Sequence, residues 1–190
     1  MLHQLGFKTL TALSALALGT VMIAPAMVRS DDNDKDKTPV TAKSAFTQLK
    51  TMAGTWKNKI SDAHEHEHPD DGKVIYHLTG AGSALVETDF PESNHEMVSI
   101  YHLDGDDLRM THYCAAGNQP RLKLDRASST PTRFVFVFDG GTNLDPAKDR
   151  HIHAMTMTFG KDGEVDCAWE GYMAGKKAGT THFQLSRSKP

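Results

Sequence analysis

Cysteine is scarce in this chain: Cys114 and Cys167 are the only two in 190 residues. That excludes a disulfide-scaffolded fold, which needs several pairs. It also excludes a thiolate zinc site, because no C-x-x-C spacing exists. A single disulfide stays open, since sequence does not fix how close the two Cα atoms come. Positive charge is not in excess either. Lys and Arg number 21 against 24 Asp and Glu, a formal net charge of -3. No nucleic-acid partner is expected, because such binding rests on clustered Lys and Arg. Two catalytic signatures are missing: the G-x-S-x-G elbow and the Walker phosphate loop. Long apolar runs are missing as well, with one exception at the start.

That exception is Thr9 to Ala26, preceded by the weakly positive Lys8. Ala24-Pro25-Ala26 is a small-x-small site suited to signal peptidase. The run is near the lower length limit for a spanning helix, so a retained anchor is the competing reading. The A-x-A site and the polar sequence after it predict a signal peptide over residues 1–26. The mature protein is then expected to be periplasmic or secreted, with no membrane span. Residues 27–43 include Arg29 to Lys43, which is charged and lacks an apolar period, and are expected to form a disordered polar linker.

Residues 44–190 read as one domain. Phe46, Leu49 and Met52 recur every three residues, which predicts a short amphipathic helix from Ser44 toward Gly54. Thr41 or Ser44 can cap it, and Gly54 can stop it. The helical period then vanishes. Ten runs alternate as strands do: Thr55–Ser61, Lys73–Thr79, Ser83–Phe90, Glu96–Leu103, Asp107–Cys114, Arg121–Ala127, Arg133–Phe138, His151–Phe159, Glu164–Met173 and Thr180–Ser186. Gly-, Asp-, Asn- and Pro-rich turns separate them. Short connections favour antiparallel neighbours. A long meander hides its edges most simply by closing, so the expected fold is all-β: an antiparallel up-and-down barrel of about ten strands with one short N-terminal helix. The expected inward faces are Phe134/Phe136/Phe138, Val165/Cys167/Trp169, Leu122/Leu124, Thr181/Phe183/Leu185 and Leu108/Met110/His112/Cys114. For His151 to Phe159 the bulkier set (His151, His153, Met155, Met157, Phe159) is expected inside.

The helix ending in Leu49 to Gly54, followed by Gly54-Thr55-Trp56 and then only strands, resembles the opening of calycin-type barrels. Lipocalins and fatty-acid-binding proteins begin their first strand with such a G-x-W. The hairpin from His112 to Arg121 is similar to that of secreted bacterial calycin-like proteins of unknown function. The resemblance covers about Phe46 to Arg187. The strand count is that of fatty-acid-binding proteins and nitrobindins rather than lipocalins. It implies a ligand-binding barrel. The nitrobindin likeness would imply haem, held through a histidine such as His182 in H-F-Q-L-S-R. Two features depart from that pattern: Lys57-Asn58-Lys59 follows the G-x-W, and alternation turns His182 outward.

Candidate sites follow from these faces. A lumen lined by Met110, Met155, Phe134, Phe136 and Trp169, with His112 as polar anchor, would hold one small molecule; the same residues would equally fill a solid core. Cys114, Asn118, Gln119 and Arg121 add thiol, amide and guanidinium groups around one turn. They form either a recognition site at the mouth or a network that satisfies itself. His64, His66 and His68 share one face of an extended chain and could hold zinc, copper or nickel; a solvated loop is the alternative. Cys114 lies two residues from His112, which permits thiol chemistry only in an electropositive, accessible setting. The expected function is non-enzymatic binding of a small, partly apolar molecule by an exported barrel. The alternative is a haem- or metal-binding barrel with redox or isomerase activity; a third reading is a filled, structural envelope protein.

Overall fold

The computed structural model describes residues 39–62 and 72–188. Helix α1 covers Ala42–Lys50. It begins two residues before Ser44 because Thr41 and Ser44 cap it together. Thr41 Oγ1 accepts from the Ser44 N–H at 3.0 Å, and Ser44 Oγ accepts from the Thr41 N–H at 3.0 Å. This reciprocal pair satisfies two donors that a helix start leaves bare. Ala45, Phe46 and Leu49 are buried on one face, with Met52 just beyond.

Ten strands follow: β1 Gly54–Asp62, β2 Lys73–Thr79, β3 Ala84–Asp89, β4 Met97–Asp104, β5 Asp107–Tyr113, β6 Gln119–Leu124, β7 Arg133–Thr142, β8 His151–Phe159, β9 Val165–Met173 and β10 Lys176–Arg187. Each pairs antiparallel with the next, and β10 returns to pair with β1, from Trp56 opposite Arg187 to Asp62 opposite Thr181. The up-and-down barrel expected from the alternation is therefore closed. Two strands outrun their apolar pattern. β7 continues through Gly140 to Thr142 because backbone pairing with Gln119 and Pro120 needs no side chain. β10 starts at Lys176 because Ala174 and Gly175, both at positive φ (51° and 70°), make a two-residue turn whose twist matches the strands. Among the described residues no helix is long and apolar enough to cross a membrane.

The interior is filled at one end. α1 leads into the start of β1 and packs on β4 and β5. Its apolar face joins one core with Leu85, Leu108, Met110, Leu122, Phe134, Phe136, Met155 and Met157. The expected His/Met/Met/Phe face of β8 is inside at Met155 and Met157. It is interrupted at His153, which is half-buried at a bulge between Ile152 and Ala154, while His151 beyond the bulge is buried.

Trp56 fastens this end. It is 2% exposed. Its indole N–H donates to the Met52 carbonyl at 2.7 Å. The Arg187 guanidinium lies 4.5 Å from its ring centroid and also bonds the carbonyls of Thr51 and Ala53. Trp56→Ala is expected to cost about 3–5 kcal/mol, as for other buried tryptophans. Urea denaturation followed by circular dichroism checks this; an unchanged midpoint would contradict it.

Candidate functional site

The other half of the barrel is hollow. A cavity of about 600 Å³ lies among Ile60 of β1, Asp89 and Phe90 at the end of β3, Met97 of β4, His112 of β5, His151 and Ile152 of β8, Trp169 and Gly171 of β9, and Gly179, Thr181 and Phe183 of β10. These are the ends of odd-numbered strands and the starts of even-numbered ones, so one end of the barrel supplies the whole wall. Alternation explains the space. Gly171 shares the inward face of Cys167 and Trp169, and it pairs directly with Gly179. A Cβ added at either would meet nothing within 4 Å. Where the filled end carries Phe and Met, this end carries two opposed glycines.

A polar belt separates the two halves. Tyr76, Glu87, Ser99 and His112 stand opposite one another across β2, β3, β4 and β5. All four are buried. Glu87 accepts from the Tyr76 hydroxyl at 2.6 Å and from the Tyr101 hydroxyl at 2.5 Å. Burial raises its pKa, and the two phenols offset part of that rise. Both phenols are held well above their ordinary range by burial and then by Glu87. His112 Nδ1 lies 2.9 Å from Ser99 Oγ, and its ring centroid is 5.2 Å from that of Trp169. Burial lowers its pKa to about 4, so the ring is neutral in ordinary buffers.

Asp89 stands two residues beyond Glu87 on the same face and reaches the cavity wall. It is 1% exposed, yet neither carboxyl oxygen has a partner among the described residues. Burial, then Glu87, pushes its pKa well above the usual carboxylate range. The Trp169 indole N–H is likewise buried without a partner, as are both amide atoms of Asn58 on β1. Buried polar groups are nearly always bonded; Asp89 and Trp169, both on the cavity wall, are exceptions among the described residues, while Asn58 lies off the wall. Aromatic rings complete the wall: Phe183 lies 5.5 Å from Phe90 and 6.3 Å from Trp169, centroid to centroid.

The residues singled out from sequence divide into groups. His112, Cys114 and Trp169 are on the cavity wall. Met110, Phe134 and Phe136 are fully buried in the filled end and do not line it. Asn118, Gln119 and Arg121 lie off the wall. The Asn118 amide donates to the Arg150 carbonyl at 2.8 Å and so ties the β5–β6 turn to the start of β8. Gln119 Oε1 accepts from Thr142 and Asn143 at 2.9 Å each. Arg121 is exposed at a bulge opposite Gly140. Cys114 and Cys167 are free thiols. Cys114 Sγ accepts from the Ala116 N–H at 3.5 Å, while His112 is engaged with Ser99, so the two do not form a thiol–base pair. His64, His66 and His68 fall outside the described residues.

His151 and His153, which have the same H-x-H spacing as the His64 to His68 tract, bind each other. The Asp149 carbonyl can only accept, so His151 Nδ1–H donates to it at 2.9 Å. His151 Nε2 then accepts from His153 Nδ1–H at 3.0 Å. The His153 ring stacks on Tyr172 and Phe138, with centroids 3.9 and 4.8 Å away. No group of three metal-binding side chains converges among the described residues. His182 does not fit a haem ligand: it is absent from the cavity wall and bonds Asp166 at 3.0 Å.

Glu87, Asp89, Tyr76 and the two glycines went unnoticed in the sequence. The signal was there in A-L-V-E-T-D, where parity puts both acids on the face of Leu85. No family model matches the chain, and no curated protein is similar to it.

Asp89 and His112 tilt stability in opposite directions with pH. The folded state raises the Asp89 pKa, so its contribution is fully present below about pH 4 and is lost as pH rises through the folded value. Asp89→Asn should therefore gain on wild type as pH rises, by on the order of 1–3 kcal/mol at about pH 8. The folded state lowers the His112 pKa from 6.5 to about 4, so its contribution is present above 6.5 and lost as pH falls toward 4. His112→Gln should escape about 3 kcal/mol of that acid loss. Urea midpoints of the three proteins across this range are the measurement; parallel curves would contradict both assignments.

Proposed function

We propose that this protein is an exported binding barrel of the calycin type that holds one small, partly apolar molecule in its hollow half and performs no chemistry on it. The observation that carries this reading is the cavity itself. Proteins pack their interiors closely, and an unfilled volume costs stability. A barrel built only to be stable would place Phe or Met at positions 171 and 179, as it does at Phe134, Phe136, Met155 and Met157. Instead a mostly apolar wall surrounds a few orphaned polar groups, the composition typical of small-molecule sites. About 600 Å³ suits one small molecule. Export rests on the signal peptide expected over residues 1–26, which lie outside the described residues. The filled envelope protein finds no support in a cavity of this size.

The test uses the glycine pair. Gly171→Leu adds a side chain where a Cβ meets nothing within 4 Å, so it should fill the cavity without clashing. Stability should stay within about 1 kcal/mol of wild type, because no existing packing is broken. Protein purified from its native host is expected to carry a small molecule, detectable by mass spectrometry of a denatured extract, and Gly171→Leu is expected to carry none. Equal recovery from both proteins, or none from wild type, would overturn the reading.

A further inference from the structure

The floor of the cavity is acidic, and among the described residues neither of its carboxyls is paired with a cation. Glu87 is engaged by two tyrosine hydroxyls. Asp89 is not engaged at all among the described residues. Glu87 on its own strand acts on it, and Asp89 in turn acts on Tyr76 of β2, Tyr101 of β4 and Cys167 of β9, every one an acid. The neutral His112 of β5 shares the wall, and Arg150, also on the wall, is exposed. A buried carboxylate without a counter-charge is costly, and either keeps its proton or waits for a cation.

We propose that the molecule held in the hollow half is an organic cation: a positively charged nitrogen on a small apolar body. This rests on the binding reading above. The nitrogen sits at Asp89. Phe90, Trp169 and Phe183 form the surrounding ring cluster, and aromatic faces attract cations through their quadrupole. An oxygen on the ligand meets the Trp169 indole N–H, which needs an acceptor. An anionic ligand would face Asp89 and Glu87 together. A neutral one would leave Asp89 protonated and would gain nothing from its charge. The raised pKa of Asp89 is consistent with this exchange: the carboxyl holds a proton until a cation displaces it, so no net charge is added to the interior.

Three probes share one phenyl ring and carry a cation, a neutral hydroxyl and an anion: benzylamine, benzyl alcohol and benzoate. Isothermal titration of each into the full chain at neutral pH separates the cases. Benzylamine is expected to bind at least about tenfold more tightly than either of the others, as a desolvated charge pair with ring contacts predicts. Asp89→Asn should abolish that preference while keeping the affinity for benzyl alcohol. If benzyl alcohol or benzoate binds wild type as tightly as benzylamine, the cation inference fails and the binding cavity stands. If none of the three binds, both fail. The ranking on wild type decides the matter even if Asp89→Asn does not fold.

Discussion

The seam between β1 and β10 is the constraint on which the rest depends. Once it forms, every described strand has two neighbours and every strand sends alternate residues into one shared interior. That interior has a fixed size, so the only remaining freedom is which side chains occupy it. Large residues at one end make a solid core that α1 covers. Two opposed glycines at the other end leave it open. Arg187 sits where the seam meets the helix, bonding the Thr51 and Ala53 carbonyls while lying over Trp56. Barrel closure and the plugged end therefore share one residue.

The same closure brings the acids inside. Glu87 and Asp89 are two residues apart on one strand, so an inward Leu85 obliges both to face in. The fold treats them differently. Glu87 has Tyr76 directly across on β2 and Tyr101 within reach on β4, and both hydroxyls bond it. Asp89 stands opposite Val74 and Met97, neither of which can donate. The contrast comes from register alone: identical chemistry at neighbouring positions becomes a satisfied belt in one case and an unsatisfied floor in the other.

Much of the fold could be read from the sequence, because alternation and turn residues are local signals. The strand order, the helix and most inward faces needed nothing more. What escaped was whatever depends on pairing between distant strands. The bulge at His153 shifts β8 out of phase, and no local pattern announces it. Phe134, Phe136 and Met110 looked like cavity lining because sequence shows that they face in, but not at which end they lie. The hairpin amides of Asn118 and Gln119 looked surplus because Arg150, Thr142 and Asn143, their partners, are more than twenty residues away. The acids on β3 were passed over since charge is ordinarily an outward signal, and the cross-strand tyrosine that makes Glu87 tolerable is not visible from β3 itself.

The two tryptophans have a practical consequence. They are the only ones in the sequence, and one stands in each half of the barrel. Trp56 has its N–H bonded to Met52 and a guanidinium on its ring, so its surroundings change only when the plugged end comes apart. Trp169 has its N–H on the cavity wall without a partner among the described residues, so its surroundings change whenever the cavity gains or loses an occupant. The chain thus carries two intrinsic fluorophores with separate assignments. Emission from Trp56 reports whether the barrel is folded, and emission from Trp169 reports whether it is full. Replacing one with phenylalanine leaves the other as a single-channel optical sensor of its own half.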